Sequence, residues 1–173
     1  MNSWEILLIT TWWTIDKDYG GGKWVLDFHI GEPIVENVLS QRSPDTSFKI
    51  MSLFKKDSLH FKDEDRKLLA QSTINAREQG IIITHGTDTM IESGKVIEWF
   101  RGKKEKVIIM LWASRPYHMS DSDAEFNIGY ALARVQSKIE NGQYGTFVTM
   151  NGQCFDIDNV YKWDDGIFRK LIQ

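Results

Sequence analysis

The side chains best suited to chemistry gather in one short stretch in the middle of the chain, "ITHGTDTM". Thr87 offers a hydroxyl and Asp88 a carboxylate between an apolar run and the start of a helical pattern. Backbone N–H groups at a helix N-terminus favour negative charge, and a threonine hydroxyl attacks once a neighbour takes its proton. The plainer interpretation is a helix cap. Three consecutive residues with a hydroxyl or a carboxylate, Thr87, Asp88 and Thr89, nevertheless favour a functional site over a simple cap.

Two other polar stretches follow apolar runs and could border the same site. The first, "TTWWTIDKDY", contains Trp12, Trp13, Thr14 and Tyr19, and the second, "WASRPYHMSDSD", begins at Trp112. Adjacent tryptophans are unusual in a turn, because each indole covers about 150–250 Å² of surface. Neighbouring residues at a strand end point to opposite sides, so at least one of the pair is expected to face a crevice or solvent.

Alternating strands and helices are predicted to position these stretches. Short apolar runs predict buried strands at 5–11, 47–54, 81–86, 106–113 and 145–152. Helical patterns occupy 31–41, 61–80, 88–100 and 124–139. Pro33 is expected in the first turn of the first helix, and Asp63 and Gly80 are expected to cap and close the second. The stretch 158–173 has no clear assignment.

This alternation predicts an α/β fold, a three-layer sandwich with a mainly parallel, Rossmann/flavodoxin-like sheet. The strand runs are continuously apolar, as expected when helices cover both faces. In such folds ligands bind beyond the carboxyl ends of the strands, where the three polar stretches lie. The length of 173 residues favours a single domain over 1–173.

Composition excludes several classes of partner. The net charge of −3 comes without a basic stripe, so no nucleic-acid partner is expected. No apolar stretch approaches the roughly 20 residues that span a bilayer, so no membrane partner is expected. The N-terminal "MNSWEILL" does not resemble a signal peptide, and the single cysteine, Cys154, excludes an internal disulfide. A reducing cytoplasm is the simple expectation, with an inert Cys154.

No metal site is predicted. His29, His60, His85 and His118 are scattered without metal-ligand spacing. The segment "SDSDAE" is similar to part of a calcium loop but lacks its glycine and distal glutamate. A helix cap by Ser122 or Asp123 is the better interpretation.

The motifs together resemble those of the bacterial-type L-asparaginase and glutaminase family. "ITHGTDTM" resembles the second signature of the family, and "ITTWWTID" matches the first, a strand with T-G-G-T-I, except for its two glycines. "LWASRPYHMSDSDAEFNIGYAL" and "TMNGQCFDIDNVYK" resemble later family segments, in the same order. The resemblance covers the N-terminal domain of full-length members and implies a short stand-alone member without the C-terminal domain.

The resemblance implies hydrolysis of the side-chain amide of asparagine, or of glutamine, with no metal and no organic cofactor. A threonine forms an acyl-enzyme, which water then releases. Thr14 matches the nucleophile, Tyr19 a residue that assists it, and Ser58 a serine that holds the α-carboxylate of the substrate. Thr87 and Asp88 match the second threonine and the aspartate that binds the α-amino group. After Ser58, the polar residues usual in the family are replaced by Leu59 and His60.

The family also has a catalytic lysine after its R-D-V segment. When the family motifs are aligned with this sequence, the position of the catalytic lysine falls at Arg169 or Lys170. Lys162 is closer to the R-D-V motif, which is earlier in the chain than expected for this lysine. Full-length relatives complete their sites with a partner subunit, so the resemblance further implies a homodimer or higher oligomer.

The tryptophans depart from the family pattern and leave two hypotheses open. Family glycines let backbone amides approach the substrate, and a non-glycine residue in such a conformation costs about 1–3 kcal/mol. Trp12, Trp13 and Trp112 are therefore expected to fill the pocket and impair hydrolysis. In the first hypothesis the protein is a working amidohydrolase with an unusual pocket. In the second it is a silent scaffold, engineered or degenerate, whose Trp-rich surface binds a ligand or another subunit.

Overall fold

A computed structural model describes residues 5–11, 14–19, 28–30, 33–43 and 45–171, with the backbone alone at positions 14, 17–19 and 28–30. The helices are α1 Ile34–Arg42, α2 Asp63–Asn75, α3 Met90–Arg101 and α4 Ala124–Glu140. The strands are β1 Ile6–Thr10, β2 Lys17–Tyr19, β3 Phe28–Ile30, β4 Phe48–Ser52, β5 Gly80–Thr84, β6 Val107–Leu111, β7 Gly145–Met150, β8 Gln153–Asp156, β9 Val160–Lys162 and β10 Phe168–Lys170.

The main sheet confirms the predicted fold class. Its strands lie in the order β4-β1-β5-β6-β7-β8, with the first five parallel and β8 antiparallel to β7. Counting only the parallel strands, this is the flavodoxin-like order 2-1-3-4-5. Strands β1, β5, β6 and β7 are buried at every residue, as their continuous apolar runs predict.

Helices cover both faces of the sheet and bury two hydrophobic clusters. One cluster joins Val35 of α1 and Val135 of α4 to one face of the sheet. The other joins Leu69 of α2 and Ile97 of α3 to the opposite face. The molecule is therefore a three-layer sandwich. None of the helices in the described part of the chain has the length and hydrophobicity needed to cross a bilayer.

Two helix starts differ from the sequence prediction because other groups provide the caps. Pro33 precedes α1, whose first N–H, that of Ile34, donates to the Asp16 carboxylate at 2.9 Å. Asp63 is the first residue of α2, preceded by Lys62, whose N–H donates to the Asp65 carboxylate at 2.8 Å. Carboxylates thus satisfy both N–H groups, Asp65 from the local spacing of a capping box and Asp16 from a position 18 residues away.

The prediction that Gly80 closes α2 is wrong. The helix ends at Asn75, and Gly80 is the first residue of β5. A Cβ at this position would lie 2.9 Å from Cδ1 of Ile139 in α4, so close packing requires the glycine.

The predicted α4 cap is divided between two residues. The Ser122 hydroxyl accepts the Ala124 N–H at 3.1 Å, as expected of a cap. The Asp123 carboxylate instead accepts the Ser114 N–H at 2.8 Å and the Asn127 side-chain amide at 2.8 Å. Asp123 thereby ties the loop after β6 to α4.

The unassigned C-terminal stretch forms a small antiparallel hairpin of β9 and β10. Residues that face each other across the hairpin share a side of it, which places Val160, Lys162, Phe168 and Lys170 on one side. Val160 and Phe168 are buried against the α2/α3 side of the domain. This side of the hairpin therefore faces the core, and Tyr161 and Arg169 lie on the other.

Candidate functional site

The polar loops meet where the strand order of the parallel sheet reverses. Strand β1 lies between β4 and β5, and Thr10 at its end is in register with Ser52 and Thr84. The Thr11 hydroxyl donates to the Thr84 carbonyl at 2.8 Å, which ties the loop after β1 to the loop after β5. In open α/β sheets this switch point is the usual place for a ligand.

A lysine, a threonine and an aspartate form the centre of the candidate site. The Lys162 ammonium donates to the Thr87 hydroxyl oxygen at 2.9 Å and to the Asp88 carboxylate at 2.6 Å. Thr87 is buried, whereas the side chains of Lys162 and Asp88 are 25% and 41% exposed. The ion pair therefore lies at the surface end of a buried hydroxyl, where a ligand from solvent can reach all three groups.

The hairpin directs Lys162 into this position. Lys162 follows buried Val160 by two residues, so both side chains lie on the inner side of β9. The opposing Phe168 is also buried and fixes the hairpin against the domain. Packing of two apolar neighbours thus places an ammonium against a loop 75 residues earlier in the chain.

Lys162 corrects the expectation from sequence. Arg169 lies on the outer side of the hairpin and pairs with Asp165, with N···O distances of 3.0 and 2.7 Å. Lys170 is on the inner side but lines a different cavity, beside Lys138. Among these three residues, the one that contacts Thr87 and Asp88 is Lys162, although it stands earlier in the chain than the family motif predicts. The alternation of Val160 and Lys162 within β9 is the sequence signal that could have identified it.

Ser58 lies beside the same loop. The Thr89 hydroxyl donates to the Ser58 carbonyl at 2.9 Å. A 3₁₀ turn, Ser58–His60, holds the serine, and the Asp57 carboxylate caps this turn by accepting the Leu59 N–H at 2.8 Å. The Ser58 hydroxyl is buried and has no hydrogen-bond partner among the described residues. Such a hydroxyl is a ready donor for a bound ligand.

The segment that carries Thr14 and Tyr19 follows β1. Thr14–Asp16 forms a 3₁₀ turn, held by the Asp16 contact with α1 and by the Tyr117 N–H, which donates to the Ile15 carbonyl at 3.2 Å. Tyr19 ends β2 and pairs with Phe28 of β3. The backbone of Thr14 therefore lies at the same sheet edge as the loop of Thr87 and Asp88.

The tryptophan pair lies outside the described residues, and Trp112 is in part a packing residue. Trp112 is half-buried and packs against the cluster on the α2/α3 face. Its carbonyl accepts the Asn127 side-chain amide at 3.0 Å. Its indole N–H is buried without a partner in the described part of the chain. The position of Trp12 and Trp13 in the pocket stays a prediction.

His85 is a neutral side chain buried behind the site. It is fully buried, and burial lowers its pKa to about 4. Its Nδ1 lies 2.8 Å from the Gly86 carbonyl, and its ring meets Phe61 edge-on at 5.1 Å. With Nδ1–H donating to that carbonyl, His85 orients the turn that leads to Thr87 rather than exchanging protons with a substrate.

A cavity of about 520 Å³ opens beside the cluster. Thr87, Asp88 and Lys162 line its polar part, and Ile91 and Leu171 contribute apolar surface. Within the described ranges, no group of histidine, cysteine, aspartate and glutamate side chains has the arrangement that holds a metal ion. The chemistry available here is that of a hydroxyl, a carboxylate and an ammonium.

Fold and site together define an α/β protein with a Thr–Asp–Lys cluster at the switch point of a flavodoxin-like sheet. The family model "Asparaginase, N-terminal" matches residues 6–168, so the chain belongs to this family. It has the family's amidohydrolase fold.

Curated relatives agree over about half of this chain. L-asparaginase 2 of Escherichia coli (strain K12) is 33% identical over 86 residues, which are 50% of this chain and 24% of that protein. Glutaminase-asparaginase of Pseudomonas fluorescens biotype A is 38% identical over 74 residues, 43% of this chain and 20% of that one. The matched segment thus spans about a quarter or less of the relatives' length.

Solved structures agree over nearly all of this chain. Probable cytoplasmic L-asparaginase from Campylobacter jejuni superimposes with a TM-score of 0.76 at 24% identity, over 91% of this chain and 49% of that one. The thermostable L-asparaginase from Thermococcus kodakarensis superimposes with a TM-score of 0.76 at 18% identity, over 96% of this chain and 51% of that one. The fold is therefore shared with about half of each of these chains.

Proposed function

We propose that this protein is an amidohydrolase that converts the side-chain amide of asparagine, or of glutamine, to a carboxylate and ammonia. The observation that carries the proposal is the Lys162 ammonium, which donates to both Thr87 and Asp88 beside an open cavity. Membership of the asparaginase family supports it. The substrate is a small amino-acid amide, and no cofactor is required.

In the first half of the reaction the Thr14 oxygen attacks the amide carbon. The C–N bond breaks, the Thr14 proton reaches the departing nitrogen, and ammonia leaves an ester on Thr14. The oxyanion that forms during attack needs backbone N–H donors, which the turn after β1 and the start of α3 can supply. Tyr19 assists the proton transfer from its position at the end of β2.

In the second half of the reaction, after ammonia has left, a water molecule hydrolyses the ester on Thr14. The Lys162 ammonium occupies a lone pair of the Thr87 hydroxyl, which leaves the Thr87 O–H free to donate. As the water attacks the ester, the C–O bond to Thr14 breaks, and the water gives a proton to the Thr87 oxygen while the Thr87 O–H proton passes to the Thr14 oxygen. Thr14 regains its proton and the acid product leaves, so the enzyme is regenerated with one water consumed for each ammonia released.

Two residues are proposed to hold the amino-acid part of the substrate. The unpartnered Ser58 hydroxyl is available to donate to the α-carboxylate. Asp88 accepts from Lys162 through one carboxylate oxygen, which leaves acceptor capacity for the α-ammonium group. Leu59 and His60, which follow Ser58, offer less polar support than the family pattern.

The tryptophans are proposed to slow the reaction. Trp12 and Trp13 replace glycines of the family motif, and loss of one oxyanion donor typically costs about 10²–10³ in turnover. Trp112 narrows the same region, although part of its indole packs in the core. We expect the double substitution Trp12→Gly with Trp13→Gly to raise the rate of ammonia release. Equal rates in both proteins would show that the indoles do not reach the site.

Steady-state ammonia release by the purified protein tests the proposal, with asparagine and glutamine as separate substrates. Saturable release is expected, reduced to background in Thr14→Ala and in Thr87→Ala. Thr46→Ala is the matched control, because its hydroxyl lies 2.7 Å from that of Ser43, in the loop after α1. A wild-type rate in Thr87→Ala would refute the assigned roles. Absence of release from wild type and from the glycine variant would favour the silent scaffold.

We also infer a cytoplasmic setting and a homodimer. The single Cys154 agrees with a reducing compartment. The aromatic pair Tyr161 and Trp163, each 50% exposed, stands on the outer side of the hairpin that carries Lys162. A subunit contact there would border the site.

A further inference from the structure

A buried ammonium at the end of α4 lacks the partners that such a group normally has. Lys138 is 8% exposed, and its Nζ lies 3.6 Å from the centre of the Phe147 ring. In the part of the chain that the structure describes, this ammonium makes no hydrogen bond and no ion pair. A lysine carries three N–H donors, and those of Lys138 have no acceptor among the described protein groups and are left to the solvent that enters from the cavity beside them.

The Lys138 side chain opens into a cavity of about 310 Å³ that lies apart from the Thr87 site. Lys170 of β10 and Asn159, in the 3₁₀ turn before β9, line this cavity as well. Asp156 is the acidic residue in the lining, and one of its oxygens already accepts the Asp158 N–H at 2.9 Å. Two ammonium groups and an amide therefore face a single carboxylate.

The nearby acids do not compensate for the burial of Lys138. Burial lowers the pKa of Lys138, the charge of Arg134 acts in the same direction, and the weaker attraction of Asp156 acts in the opposite one. A negative group placed between the two lysines would supply the missing acceptors and offset the loss of hydration. The cavity has room for a group of that kind.

We propose that this cavity binds a small oxyanion, a carboxylate or a phosphate, between the ammonium groups of Lys138 and Lys170. The side-chain amide of Asn159 donates to the same ligand. Asp156 limits the charge that the cavity accepts and favours a small ligand over a polyanion.

The hairpin connects this anion site to the Thr87 site. Lys170 and Lys162 lie on the same side of the β9–β10 hairpin, two residues apart in register. The Leu171 N–H donates to the Asn159 carbonyl at 2.9 Å, which fastens the end of β10 to the turn before β9. An anion that joins Lys170 to Lys138 would therefore hold the hairpin against α4 and fix Lys162 beside Thr87.

Titration calorimetry with the full chain tests the proposal, and no amide substrate is needed. Potassium phosphate and sodium malonate are the two probes, and sodium chloride at equal ionic strength is the blank. One saturable site is expected for at least one probe, and comparison of the two probes identifies the preferred oxyanion. The absence of saturable binding with both would overturn the proposal.

Three variants locate the site. Lys138→Met keeps the apolar stem and removes the charge, and Lys170→Gln changes an exposed residue that folding tolerates. Both are expected to weaken binding at least tenfold. Lys103→Gln, an exposed residue in the turn after α3, is the matched control and should bind as wild type does. Equal weakening in all three would indicate non-specific attraction, and unchanged binding in Lys170→Gln would refute the site.

Hydrogen exchange tests the link to the hairpin. The Trp163 N–H donates to the Ile167 carbonyl at 3.0 Å and reports closure of the hairpin. Saturating anion is expected to slow exchange of this amide by several-fold in wild type and to leave it unchanged in Lys170→Gln. Equal exchange in wild type with and without the anion would refute the link. Because both readouts measure binding, their failure would leave the amidohydrolase proposal intact.

Discussion

At the scale of single residues, the site depends on one ammonium shared by two acceptors. Lys162 donates to a buried hydroxyl and a half-exposed carboxylate, so its position is fixed by two contacts of different chemistry. A lysine at this place orients Thr87 through a lone pair and neutralises Asp88 at the same time. Removal of the Lys162 ammonium should therefore lower turnover much more than it lowers the stability of the fold.

We predict that Lys162→Met lowers the rate of ammonia release by about 10²-fold, because Thr87 loses the contact that orients it and a misplacement of about 1 Å costs roughly that much. Unfolding free energy should change by less than about 1 kcal/mol, because the ion pair is partly exposed. Steady-state kinetics and urea unfolding measure the two effects. Arg169→Gln, in the same hairpin but paired with Asp165, should keep wild-type turnover. Similar losses of turnover in both variants would show that turnover depends on the structure of the hairpin and not on the Lys162 ammonium.

Another residue-scale prediction concerns acid stability. Burial lowers the pKa of His85 from 6.5 to about 4, so between these values the unfolded chain binds a proton that the folded chain does not. The free energy of unfolding should therefore fall as pH falls through this window, by about 2 kcal/mol between pH 7 and pH 5. Urea unfolding at the two pH values measures this loss.

The control for His85 is the variant His85→Gln, which keeps an N–H donor but does not titrate. Its unfolding free energy should lose less between pH 7 and pH 5, even if the variant is less stable throughout. Carboxyls with lowered pKa values, such as those of Glu78 and Asp65, act at lower pH than this window. Equal losses in wild type and variant would show that His85 is not the group responsible.

At the scale of elements, α3 supports the site from behind. Gly94 of α3 packs on the turn that leads to β9, and a Cβ there would lie 2.4 Å from Cδ1 and 2.8 Å from Cγ1 of Ile157. Ile157 is itself 1% exposed and packs in the hydrophobic cluster on the α2/α3 face. The glycine therefore sets how closely the C-terminal hairpin approaches the helix that begins after Asp88.

Alanine substitutions at two helical glycines separate packing from helix propensity. Gly94→Ala should lower the unfolding free energy by about 1–2 kcal/mol, because overpacking outweighs the gain in propensity. Gly129→Ala in α4, where nothing lies within 4 Å of the added Cβ, should raise it by about 0.5–1 kcal/mol. Chemical unfolding of both variants measures these changes. A stabilising Gly94→Ala would contradict the close contact.

The elements also show how far the sequence could predict the structure. The parallel strands and the Thr87–Asp88 loop were predictable, because buried runs such as β5 are long and their turn chemistry is distinctive. The last strands have three or four residues each, so their periodicity is short. The alternation of Val160 and Lys162 indicates that both share a side of β9, but the contact of Lys162 with Thr87 and Asp88 depends on long-range packing of Val160 and Phe168.

One part of the missed region did carry a local signal. Asn151 and Gly152 both have positive φ, 51° and 73°, in the two-residue turn that joins β7 to β8. An Asn-Gly pair between apolar runs is typical of a hairpin, and here it ends the parallel sheet with an antiparallel edge strand. The sequence prediction places this dipeptide inside the strand at 145–152, two residues beyond the observed end of β7 at Met150.

In the whole molecule, the outer side of the hairpin carries a group of exposed apolar residues near the site. Tyr161, Trp163, Ile167 and Leu171 are each between 44% and 50% exposed. Apolar residues grouped in this way are typical of a contact between proteins. A second copy of the chain is the partner we expect, since a contact there would cover the cavity that Leu171 lines.

We predict a homodimer in solution that depends on this surface. Light scattering coupled to size-exclusion chromatography should give twice the mass of the 20.1 kDa chain, and Trp163→Ser should shift the protein towards monomer. Trp99→Ser, at a tryptophan of α3 that is 78% exposed, is the matched control and should leave the dimer intact. A monomeric mass for the unsubstituted chain at high concentration would contradict the prediction.

We expect Thr14 to form an ester with the acyl part of an amino-acid amide, and Thr87 and Lys162 to serve the hydrolysis of this ester. Rapid acid quenching of the protein with excess asparagine, followed by peptide mass spectrometry, detects such an ester. We predict a peptide containing Thr14 that is heavier by the mass of asparagine less ammonia, and more of this peptide in Thr87→Ala, where release of the ester is slowed. A label on another residue, or ammonia release with no labelled peptide in either protein, would contradict it.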